Sequence, residues 1–136
     1  MRKPINNLAN SGSVVLHSGL VILGKYLQGL AKAKEIHYSF LVGHLSDYST
    51  TAAAASFYLC IPSFSKKRNL GRVIAPLVLG GLYSCAEYTG SFLSWSGMRY
   101  DPWDIASYWL GVGVALSIDC LSARISRKES IESTVG

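Results

Sequence analysis

The sequence predicts an all-α fold, a four-helix transmembrane bundle, on three observations. Four apolar segments are separated by short polar ones. Only 15% of the 136 residues are charged, against about 25% in soluble domains. The basic residues cluster between the apolar segments: Arg2 with Lys3, Lys66-Lys67-Arg68 with Arg72, and Arg124 with Arg127-Lys128. Mean hydropathy is a modest +0.26, so the segment pattern carries the reading. Three spans plus one interfacial helix is the alternative architecture. Strands fit poorly, because no segment sustains apolar/polar alternation.

The first span covers residues about 13–31. A helix of about 19 residues reaches roughly 28 Å, close to the thickness of a hydrocarbon core. His17 and Lys25 interrupt its apolar character, and Lys25 lies near the end, where it can snorkel. Arg2-Lys3 and the small residues around Ala31-Lys32-Ala33 resemble a cleaved leader. Lys25 breaks the apolar stretch, however, and the length is at the upper edge for such a leader. The segment is therefore read as a retained span.

The second span, about 45–64, has the uncharged core TTAAAASFYLCI and ends at Pro62 and the Lys66-Lys67-Arg68 cluster. The third, about 73–97, carries a single charge, Glu87. The fourth, about 105–123, follows Asp101-Pro102-Trp103-Asp104. That run is a helix start: Asp101 as N-cap, Pro102 at the first helical position, Asp104 in the first turn. Together the spans form a single membrane domain over residues 1–136.

Charge placement sets the expected topology. The loop holding Lys66, Lys67, Arg68 and Arg72 has no acid, and the C-terminal tail opens with Arg124, Arg127 and Lys128. The positive-inside rule puts both in the cytoplasm. Four spans then place the N-terminus there too, in agreement with Arg2 and Lys3. Lys32 and Lys34 conflict mildly with this arrangement, eased in part by Glu35. The expected location is the cell membrane, with both termini cytoplasmic.

Cys60, Cys85 and Cys120 have no CxxC spacing and lie in apolar stretches. They are read as buried small hydrophobes. There is no nucleophile elbow, phosphate loop, zinc-protease helix or dinucleotide fingerprint. No cofactor and no metal are expected from motifs, and the sequence names no reaction. The expected partners are membrane lipids and a candidate envelope component or membrane protein. Nucleic acid is not among them, since the basic residues do not line a helix face.

The topology gathers polar residues toward the outer face: His44, Asp47, Glu87, Arg99, Asp101, Asp104 and Tyr108. Glu87 is the sharpest signal. A carboxylate at mid-bilayer costs about 2.5–3.5 kcal/mol or more, so it must face protein or water. Gly80, Ser84, Glu87 and Ser91 share one helix face. His44, Asp47, Thr51, Ala55 and Tyr58 share another, and Asp104, Tyr108, Gly111 and Ala115 a third. Small residues on such faces let helices approach closely in lipid.

Capping alone accounts for Asp101 and Asp104, and Asp47 fits capping or a site equally. Capping is unavailable to Glu87, which leaves function or an ion pair with Arg99. His44 could be incidental at an interface. Lys25 and Asp119 are read as interfacial and outside the site. Trp95, Trp103 and Trp109 suit an aromatic belt at the outer boundary.

The run Arg99-Tyr100-Asp101-Pro102-Trp103-Asp104-Ile105-Ala106-Ser107-Tyr108, then Leu110-Gly111, with Glu87 before it and His44-Leu45-Ser46-Asp47 earlier, resembles the VanZ-like family of small membrane proteins. The similarity covers roughly residues 43–119. The sequence departs from the family pattern in its Ala- and Thr-rich second span and in Tyr108. The resemblance implies a compact four-helix membrane protein. Founding members are associated with reduced sensitivity to teicoplanin-type antibiotics, and the resemblance carries no biochemical activity with it. Three functional classes follow. The chain could engage a lipid or envelope component through an outward-facing polar pocket. It could act as an enzyme on a lipid-linked substrate, with Glu87, Asp101 or Asp104 as base or metal ligand. It could be a structural or partner-binding subunit.

Overall fold

The structure is a computed structural model and describes residues 4–34, 40–61, 70–92 and 101–136. It is all-helical over those residues. Four helices follow in order: α1 (Pro4–Ala33), α2 (Phe40–Cys60), α3 (Leu70–Phe92) and α4 (Pro102–Val135). Two of them, α1 and α4, are long and apolar enough to cross a membrane.

Contacts between helices fix their directions. Gln28 of α1 donates to the Val42 and Gly43 carbonyls, while Ser13 meets Ser56. α1 and α2 are therefore antiparallel. Arg72 reaches Asp119 and Tyr108 reaches Glu87, so α3 and α4 are antiparallel as well. His44 contacts Asp104 while Gly111 lies against Tyr48 and Ala52, so α2 and α4 run parallel. The result is an up-down-up-down bundle in which α2 makes its largest interfaces with α1 and α4.

Glycines set how closely the helices approach. A Cβ on Gly111 would sit 2.5 Å from the Tyr48 carbonyl oxygen and 2.9 Å from the Ala52 nitrogen. No side chain fits there without parting α2 from α4. Gly24 packs against Ser46 in the same manner, less tightly, at 3.3 Å.

The interior is unusual in composition. Its apolar members among the described residues include Ala52, Ala55, Leu59, Pro76, Tyr108, Val112 and Ala115. Beside them are buried Asn10, Ser13, His17, Ser46, Ser49, Thr51, Ser56, Arg72 and Ser122. Large apolar residues point outward instead, including Val15, Leu16 and Ile22 on α1 and Leu82, Leu110 and Leu121 elsewhere. Hydroxyls along the helices bond back to the carbonyl four residues earlier, as Thr50, Thr51, Ser84, Ser107 and Ser117 do. Such bonds satisfy a hydroxyl without water.

Several expectations are corrected. Helix α1 begins at Pro4, well before residue 13. Proline's fixed φ suits a first helical turn. Helix α4 continues to Val135 rather than ending near residue 123. No glycine or proline interrupts the chain between Ala123 and Val135, and Gly136 forms the C-cap. Cys85 and Cys120 are exposed and Cys60 is half-buried, all three with free thiols. Cys85 and Cys120 lie on outward faces of α3 and α4, near the exposed Leu82 and Leu121 in sequence, while Cys60 Sγ lies 3.7 Å from Ser11 Oγ of α1. Arg72 belongs to α3 and is buried, so it is not a free loop charge.

Candidate functional site

One end of the bundle is formed by the last turns of α1, the first turns of α2, the far end of α3 and the start of α4. The start of α4 is built as its sequence predicts. Asp101 has an extended backbone, accepts from the Trp103 amide at 2.9 Å and precedes Pro102. That cap uses one carboxylate oxygen, Oδ1. The other, Oδ2, lies 3.8 Å from His44 Nε2. Capping and the site thus share Asp101.

His44 stands at the centre. Its Nδ1 is 2.6 Å from Asp104 Oδ1, while its Nε2 faces Asp101. A neutral imidazole has one N–H and satisfies one carboxylate. Asp47, one turn along α2 from His44, lies within side-chain hydrogen-bonding reach of Asp104. The Lys25 ammonium on α1 is among the charges that act on Asp47.

Tyr108, one turn along α4 from Asp104, is buried and donates to Glu87 Oε2 at 3.2 Å. Its ring also packs on Tyr83 at a centroid distance of 5.4 Å. Glu87 is thereby tied to α4 through Tyr108. Of the residues expected in the site, His44, Asp47, Asp101 and Asp104 come together, with Tyr108 and Glu87 adjoining them. Arg99 lies outside the described residues, so a Glu87–Arg99 pair does too.

The donor set has a further property. His44, Asp101 and Asp104 each present one ligand atom within 4.8 Å of the others. One imidazole nitrogen and two carboxylate oxygens suit a divalent ion such as Zn²⁺ or Mn²⁺. Glu87 is not one of the three. Next to the cluster lies an apolar groove of about 480 Å³ between α2 and α4. Val42, Leu45, Trp103, Ala106 and Leu110 line it, and His44 closes its polar side.

Two polar networks deeper in the bundle were missed at the sequence level. In the first, Ser13 Oγ meets Ser56 Oγ at 2.7 Å, and the His17 ring lies between Ser13 and Tyr48. His17 Nδ1 is 2.8 Å from the Ser13 carbonyl oxygen. That oxygen can only accept, so Nδ1 carries the hydrogen. The signal was the spacing of Asn10, Ser13 and His17, which places three polar groups on one face of α1.

The second network closes the opposite end of the bundle. Arg72 Nε donates to Asp119 Oδ2 at 3.2 Å, Nη2 donates to Asp119 Oδ1, and Nη2 also reaches the Leu59 carbonyl. Asn10 adds a 3.0 Å bond to Asp119. Asp119 therefore joins α1, α3 and α4 and is not an idle interfacial acid.

Compared with known proteins, the chain matches no protein-family model, no curated protein and no solved structure.

Proposed function

We propose that this chain is a four-span protein of the cell membrane. In this reading the His44 cluster binds the polar part of a lipid or envelope component. The apolar part of that ligand lies in the neighbouring groove.

The inverted distribution of side chains supports the membrane setting. Lipid offers no hydrophobic drive between helices, so small residues and hydrogen bonds hold them together, as Gly111, Ser13–Ser56 and Arg72–Asp119 do here. Outward-facing apolar residues then meet lipid. The spacing of the polar ends agrees. About 20 residues separate Asp104 from Arg124 on α4, roughly 30 Å of helix, which equals a hydrocarbon core. The basic end, with Arg72, Arg124 and Arg127, is assigned to the cytoplasm and the His44 end to the outside. Both the start of α1 and the polar last turns of α4 lie toward the basic end. The resemblance to the VanZ-like family, carried by residues 99–108, His44 and Glu87, belongs to the same proposal.

One observation carries the ligand reading: His44 is both a member of the acidic cluster and a wall of the apolar groove. An amphiphile placed there puts its apolar portion against Leu45, Trp103 and Leu110. Its hydroxyl or ammonium donors then meet Asp47, Asp101 and Asp104, which accept. The test is complementation of a deletion strain by Glu87→Gln and Asp104→Asn. Failure of the variants to complement supports the reading. Full complementation by both variants removes the pocket from the function.

The three-ligand group favours a second reading, a metal-dependent enzyme acting on a lipid-linked substrate. There the ion would polarise a phosphoryl or carbonyl oxygen or activate water. Divalent metal retained by the purified protein and lost in His44→Ala would favour it. Metal-free protein that is not stabilised by added Zn²⁺ or Mn²⁺ would rule it out.

A further inference from the structure

A second groove, of about 400 Å³, opens between the first turns of α3 and the middle of α4, at the end opposite His44. Three guanidinium groups line it: Arg72, Arg124 and Arg127. Apolar Val73, Leu116 and Ala123 line the rest, together with Cys120. Asp119 is the one carboxylate present, and Arg72 and Asn10 already engage it. Arg124 and Arg127 are exposed, and neither has an ion-pair partner among the described residues. Three positive groups against one negative leave the groove at +2.

The chemistry this geometry selects is specific. A guanidinium presents paired N–H donors that match phosphate oxygens. The apolar residues below suit a hydrocarbon chain: Leu116 lies about two turns from Arg124, roughly 12 Å toward the middle of the bundle. A soluble anion would use the arginines and leave that apolar wall uncovered. We propose that this groove binds an anionic phospholipid, its phosphate between Arg124 and Arg127 and an acyl chain along Val73 and Leu116. The proposal rests on the membrane reading and is independent of the ligand assigned to the His44 cluster. Anionic lipid on this face also fits a cytoplasmic leaflet.

Lys128 provides an internal control. It neighbours Arg127 in sequence, is exposed, and does not line the groove. The experiment compares full-length wild type, Arg127→Gln, Arg124→Gln/Arg127→Gln and Lys128→Gln in nanodiscs of phosphatidylcholine with phosphatidylglycerol. Lipid retained after release is counted by native mass spectrometry. Wild type should hold phosphatidylglycerol in preference to phosphatidylcholine. Each groove arginine should contribute about fivefold to that preference, so the double variant should lose about 25-fold, while Lys128→Gln keeps the wild-type preference. Equal loss in Arg127→Gln and Lys128→Gln would mean diffuse surface charge and would overturn the site, as would displacement by soluble glycerol phosphate. Both substituted arginines are exposed, so the Arg72–Asp119 pair and the fold stay intact. Extraction of the same proteins with alkaline carbonate separates the two levels of the argument. Release from membranes overturns the membrane reading itself. Retention without lipid preference overturns the lipid site alone.

Discussion

His44 and Asp104 lie 60 residues apart in the chain and 2.6 Å apart in space. The contact ties the first turns of α2 to the first turn of α4, two helices that run parallel. Its partners are a half-buried imidazole and a carboxylate 21% exposed, so the bond is shielded without being sealed. A hydrogen bond to a charged group contributes about 1.5–3 kcal/mol when buried, and partial exposure lowers that here. Asp104→Asn keeps an oxygen that can accept from His44, while Asp104→Leu does not. Thermal unfolding in detergent should show a small loss for Asn and a clearly larger one, about 1–2 kcal/mol, for Leu. Equal losses would mean that the contact does not hold α2 to α4.

The Arg72–Asp119 pair calls for a different pattern. Arg72 is 5% exposed and Asp119 15%, so either partner alone is a stranded charge. Arg72→Met or Asp119→Leu should each cost about 3–5 kcal/mol. The double variant should recover much of that loss, because an apolar pair can fill the same space. A double-mutant cycle on unfolding midpoints checks this. Additive losses would show that the two residues do not act as a pair.

Gly111 sets the distance between α2 and α4. Gly111→Val places methyl groups where a Cβ alone already meets the Tyr48 carbonyl at 2.5 Å. Overpacking of this kind costs about 1–3 kcal/mol or more. Gly113, one residue pair away, meets nothing within 4 Å, so Gly113→Val should be far milder. Comparable melting temperatures for the two variants would contradict the crossing.

Ser46 and Ser49 carry buried hydroxyls that lack a hydrogen-bond partner among the described residues. An unsatisfied buried polar group costs about 1–3 kcal/mol. Ser49→Ala should therefore leave stability unchanged or raise it. A loss above about 1 kcal/mol would mean that the hydroxyl is bonded.

The sequence made the helices legible because each apolar run is longer than ten residues and is bounded by charge or proline. The start of α4 was readable to the residue, since Asp101, Pro102 and Asp104 each have a local reason for their position. Helix ends without such marks were not. The helices run past the apolar runs, to Pro4 at the start of α1 and to Val135 at the end of α4, where hydropathy no longer marks them. For the candidate site, helical spacing was enough to align Asp104, Tyr108 and Gly111 on one face. Spacing within a helix cannot say which faces meet. Topology brought His44 to the same end as Asp101 and Asp104, but their direct contact, like that of Asp119 with Arg72, depends on helix pairing and was not legible. The polar face of α1 was present in the spacing of Asn10, Ser13 and His17. It escaped notice because His17 was weighed as a flaw in an apolar run.

The central claim is that the bundle crosses a membrane, with the His44 cluster and the Arg72 groove at opposite faces. The most direct test labels single cysteines in intact cells, with Cys60, Cys85 and Cys120 replaced by serine. One is introduced at Ser96, between α3 and α4, and one at Ser130, near the end of α4. The expected result is carbonate-resistant protein, with position 96 labelled from outside by a membrane-impermeant reagent and position 130 labelled only after permeabilisation. Release by carbonate, or labelling of both positions from one side, would contradict the claim.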